Sequence, residues 1–339
     1  MVERRPNFLA EEDVRIEEIP FSCSLWASGF SVNIHSNIPE LQTNLFSKLI
    51  DFRNVIPGLE VKSDISPHEQ SLCILRHDKT GLYYDPEAPK AYLFGNTADF
   101  IDGQGIAWIS YWLMERQKQE NSLFTLHSSA LTLNGRGVLL LGHSGAGKTS
   151  IMLNLCQKYR ATIVSNDLTV VHHNVSNDQL SLVDGTKEIR LRLASVEKDF
   201  PTFRYLFPET KTSSWETKIV VLPEDIGLRS EIGRPELHSI FEVHLDSKAT
   251  DGLSIYQEEQ IPIRYRLYED MSRIIRGSAI SVFDSEQKFL GYMPSLDSEE
   301  IHGKRIACIE QMVDRVGITS ISGGSINEIA EAIYDLTVN

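Results

Sequence analysis

The chain has 339 residues, and 47 acidic residues against 33 basic ones give it a formal net charge of −14. A surface this acidic repels the phosphates of nucleic acids and anionic lipids, so we expect neither nucleic acid nor a membrane as a partner. Hydrophobic residues make up 41% and charged residues 24%, which is typical of a folded globular protein and excludes wholesale disorder.

The N-terminal segment and the cysteines favour a cytoplasmic location. The opening MVERRPNFLAEEDV carries charges where a signal peptide has its apolar segment. The densest apolar stretch, residues 106–114, is far shorter than the ~20 residues that span a bilayer, and it predicts a buried helix. The cysteines are scattered without a CxxC pattern, as expected of free thiols in a reducing compartment; they are Cys23, Cys73, Cys156 and Cys308.

Residues 1–115 are expected to form a smaller N-terminal domain of the α+β type. Short runs of β-forming residues alternate there with turn residues, and the best strand candidates are residues 30–34, 71–75 and 90–94. Between the first two of these, the apolar spacing over residues 41–52 predicts a helix. The polar stretch at residues 117–121 lies close to the expected domain boundary.

The second expected domain, residues 116–339, has the pattern of an α/β fold. Residues 137–141 form a continuous apolar run typical of a strand buried on both faces, and a glycine-rich turn and a helix over residues 148–159 follow it. Further strands are predicted at residues 161–165, 168–172, 218–222, 239–245 and 318–322, and helices at residues 267–275, 300–316 and 326–336.

One segment of this domain has a pattern specific for phosphate binding. The sequence GHSGAGKT, from Gly142 to Thr149, fits G-x-x-x-x-G-K-[ST], whose glycines let successive backbone N–H groups point at one anion beside a helix N-terminus. Lys148 is expected to reach the β- and γ-phosphates of a nucleotide, and the Thr149 hydroxyl to bind Mg²⁺. The expected nucleotide-binding residues are Gly142, His143, Ser144, Gly145, Ala146, Gly147, Lys148, Thr149 and Ser150.

A carboxylate for Mg²⁺ is expected at the end of a neighbouring strand. Asp167 follows the apolar run ATIVS, which comes directly after the helix of the loop. The short interval places the next strand immediately after this helix, so Asp167 is the candidate metal ligand. The alternative interpretation is a turn residue between two strands.

Together these features resemble the HPr kinase/phosphorylase catalytic domain, and more closely the HPr-kinase-related enzymes found beside peptide-modifying systems. The resemblance runs from His127 in FTLHSSAL through the strand and loop to the tripeptide Ser165–Asp167, and it covers about residues 120–330. It implies a P-loop fold shared with ATP-dependent phosphoenolpyruvate carboxykinases. It also implies an active-site histidine at His127, for which a structural histidine is the alternative.

The resemblance adds a metal-assisting glutamate and contains one departure. Glu188 in KEIRLR matches the glutamate of a family E-I-R segment, and a surface residue on a strand is the alternative. At Asn166 the bifunctional enzymes have an aspartate that accepts the proton of the target serine, which an amide cannot do. The protein HPr and the phosphorylase reaction are therefore not expected here, and His127 becomes the candidate base.

The sequence thus leads to the hypothesis of an ATP- and Mg²⁺-dependent kinase that transfers the γ-phosphoryl group to a hydroxyl. The acceptor is a Ser or Thr of a peptide or protein, or a small molecule, and the N-terminal domain is a candidate for recognising it. An ATP-binding sensor without transfer and a phosphoenolpyruvate-carboxykinase-like enzyme are the alternatives, and the resemblance also implies a homo-oligomer. The expected catalytic residues are His127, Lys148, Asn166 and Asp167, and the expected metal ligands are Thr149, Asp167 and Glu188.

Overall fold

The structure is a computed structural model, and it describes most of the chain. The described residues are 21–42, 52–53, 55–67, 70–86, 88–100, 104–208, 216–246, 252–257, 259–277, 281–283 and 289–338. They form a mixture of helices and mixed sheets, so the expected α/β class is confirmed. Two compact units are present, Met1–Phe124 with Tyr268–Ile306 and Thr125–Leu267 with Ala307–Asn339.

The strands are β1 Phe21–Ala27, β2 Phe30–Ser36, β3 Glu60–Lys62, β4 Ser71–Arg76, β5 Gly81–Asp85, β6 Lys90–Gly95, β7 Leu123–His127, β8 Ser129–Leu133, β9 Arg136–Leu141, β10 Thr162–Ser165, β11 Leu168–Asn174, β12 Gln179–Gly185, β13 Ile189–Arg192, β14 Lys218–Val221, β15 Leu237–Leu245, β16 Ser254–Gln257, β17 Ser281–Phe283, β18 Phe289–Tyr292 and β19 Ile318–Gly323. The α-helices are α1 Gln104–Glu120, α2 Lys148–Tyr159, α3 Leu193–Asp199, α4 Gln260–Ser272, α5 Glu299–Glu310 and α6 Ile326–Val338. A π-helical turn, Gln311–Val316, continues α5.

The first unit is built on a six-stranded sheet in the order β3-β1-β2-β4-β6-β5. Strands β2, β4 and β6 are parallel, and the outer pairs are antiparallel. Helix α1 packs on β2 and β4, and its Trp112, Leu113 and Met114 are fully buried, as the apolar run at residues 106–114 predicted. Helix α1 continues to Glu120, past residue 115, where the sequence places the end of the N-terminal domain.

The second unit contains a central sheet in the order β10-β8-β9-β15-β19-β16. Strands β9, β15 and β19 are parallel, so their carboxyl ends lie at one edge of the sheet. Strand β8 is antiparallel to β9 and begins at that edge, where Ser129 pairs with Leu140. Strand β10 ends at the same edge, because it is antiparallel to β8 and Ser165 pairs with Ala130.

The core of the second unit lies between the central sheet and helices α2 and α6. Inward side chains of the parallel strands, such as Leu140 and Val243, pack there with Ile151 of α2 and Ile333 of α6. Alternate residues of β9 point to opposite faces of the sheet, which explains why the whole run at residues 137–141 is apolar and buried. The packing fixes the start of α2 at the carboxyl end of β9.

Most of the predicted elements of this unit are confirmed, and two differ in extent. Helix α4 begins at Gln260 rather than near residue 267, because Pro262 lies in its first turn, where a missing N–H costs no hydrogen bond. The predicted helix over residues 300–316 is α5 followed by the π-helical turn. In the first unit, the predicted helix over residues 41–52 lies mostly outside the described residues. None of the helices that the structure describes is both long enough and apolar enough to cross a membrane.

Candidate functional site

The glycine loop connects β9 to α2 at the carboxyl edge of the parallel strands. Gly142, Gly145 and Gly147 have φ values of 143°, 87° and 91°, which favour glycine strongly over other residues. A Cβ atom on Gly142 would lie 2.7 Å from the backbone oxygen of Val243, so the loop passes too close to β15 for a side chain at this position. The residues between the glycines, His143 and Ser144, are exposed, which leaves the outer surface of the loop open to a ligand.

Lys148, the first residue of α2, turns its side chain back over the loop. Its Nζ donates to the backbone oxygens of Gly142, at 2.7 Å, and His143, at 3.2 Å. Gly147, the N-cap of α2, supplies no side-chain cap, so the helix begins at the loop with its positive end uncapped by a side chain. The helix N-terminus and the Lys148 ammonium therefore place positive charge at the loop, the kind of environment that favours an anion.

The Thr149 hydroxyl contacts Asn166 on the next strand along the chain. Thr149 Oγ1 donates to Asn166 Oδ1 at 2.9 Å. The other end of the amide, Nδ2, donates to the backbone oxygen of Glu188 at 3.0 Å, and the Asn166 backbone N–H donates to the oxygen of Thr186. Both ends of the buried Asn166 amide are therefore hydrogen-bonded. The Thr149 hydroxyl contacts this amide and not a carboxylate.

Asp167, the expected metal carboxylate, forms a pair with His127. The distance from His127 Nε2 to Asp167 Oδ1 is 3.1 Å, and the two side chains are 36% and 45% exposed. The pair forms because β7 ends at His127 and β10 ends two residues before Asp167, and a backbone hydrogen bond from Ser128 N to Asp167 O ties the two segments. Thr186 Oγ1 accepts from the backbone N–H groups of Asp167 and Leu168 and fixes this turn.

The pKa of Asp167 lies below its ordinary value. The hydrogen bond from His127 is the largest cause, partial burial opposes it, and the charges of His127, Arg190 and Lys148 add to the lowering. The carboxylate is thus ionised at neutral pH and is a weak base. An ionised carboxylate thus lies within electrostatic reach of Lys148, and it would supply negative charge to a bound cation.

Glu188 contacts the site through its backbone. Its carbonyl oxygen accepts from Asn166 Nδ2, and its carboxylate oxygen Oε2 accepts from the N–H of Lys187 at 3.2 Å. The residue is buried, with 7% of its surface exposed, at the start of β13 rather than on a solvated face. The structure therefore joins Glu188 to the site as a support for Asn166.

Strand β15 brings residues to the loop that the sequence did not single out. The rings of His244 and His143 are 5.3 Å apart between centroids and 20° from parallel, and both side chains are exposed. The next residue, Leu245, donates its N–H to the oxygen of Ala146 at 3.0 Å, which anchors the loop to β15. Asp246 follows at the end of the strand. The alternation of polar and apolar residues in FEVHLD was the available signal, but only the sheet order places it beside β9.

The oxygen donors around Thr149 fit Mg²⁺. Thr149 Oγ1 and Asn166 Oδ1 are neighbouring hard oxygens. Asp167, the residue after Asn166, is ionised and supplies a negative charge. No group of three or more His, Cys, Asp or Glu side chains suited to a metal occurs among the described residues. Mg²⁺ in phosphate-binding sites needs only one or two carboxylates, because phosphate oxygens and water complete its shell.

Comparisons with known proteins give no relative: no protein-family model matches the chain, and no curated protein matches it. Function is therefore inferred from the loop and the residues around it.

Proposed function

We propose that the protein is a kinase, of the HPr-kinase-related type, that depends on Mg²⁺ and ATP and transfers the γ-phosphoryl group to a hydroxyl. The observation that carries the proposal is the open glycine loop with Lys148 across it and with the His127–Asp167 pair beside it. Under this proposal, a P-loop catalytic domain shared with phosphoenolpyruvate carboxykinases follows a smaller N-terminal domain that recognises the acceptor. The acceptor is a peptide, a protein or a small molecule with a free hydroxyl.

The loop would bind the phosphate chain of the nucleotide. Backbone N–H groups at the start of α2 and the Lys148 ammonium supply the positive charge, and the positive φ values of the glycines aim the loop at one anion. Phosphoryl transfer passes through a loose transition state, so positioning and charge neutralisation account for most of the catalysis. Removing a group of this kind costs a factor of about 10²–10³ in rate.

Mg²⁺ would be held by Thr149, Asn166 and Asp167. When bound, the metal neutralises charge on the phosphates and fixes their orientation. Asn166 supplies an amide oxygen where a carboxylate would bind the cation more strongly, so most of the local negative charge comes from Asp167. Glu188 supports the amide through its backbone oxygen.

His127 is the base that would take the proton of the acceptor hydroxyl. With Nε2 donating to Asp167, the imidazole accepts a proton at Nδ1, and the carboxylate stabilises the imidazolium that forms. Asp167 itself is a poor base because its pKa is lowered. Asn166 has both amide ends engaged by Thr149 and Glu188, which disfavours a role in orienting the acceptor.

A nucleotide-binding sensor is the second candidate, and Asn166 is the observation that favours it. An uncharged amide at Thr149 weakens metal binding, and a protein that senses ATP without transfer needs only the loop. The two functions differ in how ADP forms. A kinase releases ADP faster when an acceptor hydroxyl is present, whereas a sensor hydrolyses ATP slowly at a rate that no acceptor changes.

The test measures phosphate transfer from labelled ATP with Mg²⁺ across a panel of seryl and threonyl peptides and small-molecule alcohols. Wild type, Lys148→Ala and Lys158→Ala are compared, because Lys158 is an exposed lysine of the same helix. We expect acceptor-dependent transfer in wild type and in Lys158→Ala, and none in Lys148→Ala. ADP formation that no acceptor stimulates would instead support the sensor.

A further inference from the structure

Two histidines from different elements meet at the first residues of the loop. His143 belongs to the loop itself, and His244 comes from the end of β15, the parallel neighbour of β9. Their rings lie 5.3 Å apart between centroids at an angle of 20°, and both side chains are exposed. Nothing in the proposed kinase chemistry uses either imidazole.

Lys148 identifies which end of the phosphate chain this pair would meet. In loops of this pattern, the lysine reaches the β- and γ-phosphates. Here Lys148 Nζ lies on the backbone oxygens of Gly142 and His143, so the start of the loop corresponds to the outer end of the phosphate chain. The two imidazoles lie at that same end. The α-phosphate would lie further along, toward the helix N-terminus.

Several charged side chains surround the histidine pair. Strand β15 carries Glu242, which forms an ion pair with Arg266 of α4, and ends before Asp246. Helix α2 contributes Lys148, and the His127–Asp167 pair lies on the opposite flank of the loop, toward β8 and β10. Among the described residues, the acidic groups nearest to His244 in sequence are Glu242, which is paired with Arg266, and Asp246.

We propose that His143 and His244 form an imidazole pair that binds the terminal phosphate of a nucleoside triphosphate. The pair thereby gives the loop a higher affinity for the triphosphate than for the diphosphate. The proposal rests on the proposed nucleotide-binding function of the loop. An imidazole changes its charge between about pH 5 and pH 8, and a protonated one donates a charge-assisted hydrogen bond to phosphate. Two adjacent imidazolium rings repel each other, and a terminal phosphate that accepts from the N–H groups at the edges of both rings offsets this repulsion. Preference for the triphosphate therefore increases as the pH falls.

The experiment is calorimetric titration of the full chain with Mg-ATP and Mg-ADP at about pH 6, 7 and 8.5, a range that covers the imidazole titration. Wild type is compared with His244→Gln, which removes the charge, and with His244→Lys, which keeps a positive charge at every pH used. His238→Gln is the matched control, because His238 is an exposed histidine at the opposite end of β15. Thermal melts of all variants check folding.

In wild type and His238→Gln, we expect the affinity ratio of ATP over ADP to rise by about tenfold between the highest and the lowest pH, the size of one charge-assisted hydrogen bond. His244→Gln is expected to show a smaller rise than wild type, because only His143 remains, and His244→Lys is expected to keep an ATP preference at the highest pH, where wild type has lost it. If the affinity ratio of ATP over ADP has the same pH profile in wild type and His244→Gln, the proposed role of the histidine pair is overturned. The proposal that the loop binds a nucleotide would not be affected. Failure of wild type to bind either nucleotide at any pH would overturn the proposed function and this inference together.

Discussion

At the residue scale, the candidate chemistry depends on His127 and Asp167, which hold each other 3.1 Å apart between Nε2 and Oδ1. The two residues are far apart in sequence and come from the ends of β7 and β10. General-base catalysis is worth a factor of about 10²–10⁴ in rate. The partner carboxylate decides how the ring is oriented and stabilises it when it is charged.

We expect His127→Ala to lower kcat by a factor of about 10²–10⁴ and to leave nucleotide affinity nearly unchanged, because the loop and Lys148 are untouched. Steady-state kinetics together with nucleotide titration measure both quantities. The matched control is His238→Gln, which alters an exposed histidine remote from the loop. Full kcat with the wild-type pH profile in His127→Ala would show that the base lies elsewhere.

The lowered pKa of Asp167 predicts how stability depends on pH. Its folded-state pKa lies below the unfolded value of about 3.9, so its stabilising contribution is fully present above that value. The contribution is lost as the pH falls through the lower folded-state pKa. We expect Asp167→Asn to be less stable than wild type at pH 7 and equally stable in strong acid, as measured by urea unfolding. A difference that persists unchanged in strong acid would contradict this assignment.

The hydrogen bonds of Asn166 predict how a substitution there changes the stability of the protein. In Asn166→Asp, a carboxylate oxygen would replace the Nδ2 donor and face the backbone oxygen of Glu188. The lost hydrogen bond and the unsatisfied buried oxygen are expected to cost about 1–3 kcal/mol in the free energy of unfolding. Urea unfolding at neutral pH measures the loss. A variant as stable as wild type would show that this contact is not important for the fold.

At the element scale, the glycine loop connects β9 to α2. Its glycines differ in how much space they leave for a side chain. A Cβ atom on Gly142 would lie 2.7 Å from the backbone oxygen of Val243, whereas one on Gly145 would meet nothing within 4 Å. Both have positive φ, which an alanine rarely adopts, so a substitution strains the backbone at either position.

We therefore expect Gly142→Ala to lower the melting temperature more than Gly145→Ala, because only the former also forces the loop away from β15. Gly145→Ala is the comparison variant, because it changes a positive-φ glycine of the same loop where a Cβ atom meets nothing within 4 Å. Thermal unfolding, followed by nucleotide titration of the folded variants, separates the two effects. Equal melting temperatures would mean that the contact between the loop and β15 relaxes without cost.

The elements also show where sequence patterns were sufficient. Helix α2 covers residues 148–159 as predicted, because the glycine-rich turn before it and its apolar periodicity are both local signals. Strands β8, β12 and β13 were not predicted; β13 has only four residues, and its partner β14 begins 26 residues after β13 ends. Helix α4 begins at Gln260, seven residues before the start that the sequence predicted.

At the scale of the whole molecule, ligand binding is expected to be visible as stabilisation of the folded chain. A ligand that binds only the folded state adds about 2.7 kcal/mol at a hundredfold excess over Kd. We expect Mg-ATP and Mg-ADP to raise the melting temperature of wild type and of Lys158→Ala, and to leave Lys148→Ala unchanged. A wild-type melting curve that millimolar Mg-nucleotide does not move would contradict nucleotide binding.

The sequence by itself determined the glycine loop, the helix after it and the strand before it, because each depends on residues close together in the chain. It also supplied His127, Asn166 and Asp167 as candidates. Only the tertiary structure decided that Asn166 meets Thr149, that Asp167 meets His127 and that Glu188 contacts the site through its backbone. It likewise brought His244 to the loop, since β15 is the parallel neighbour of β9. These pairings follow from strand order and register, which are fixed by packing between segments that no local pattern connects.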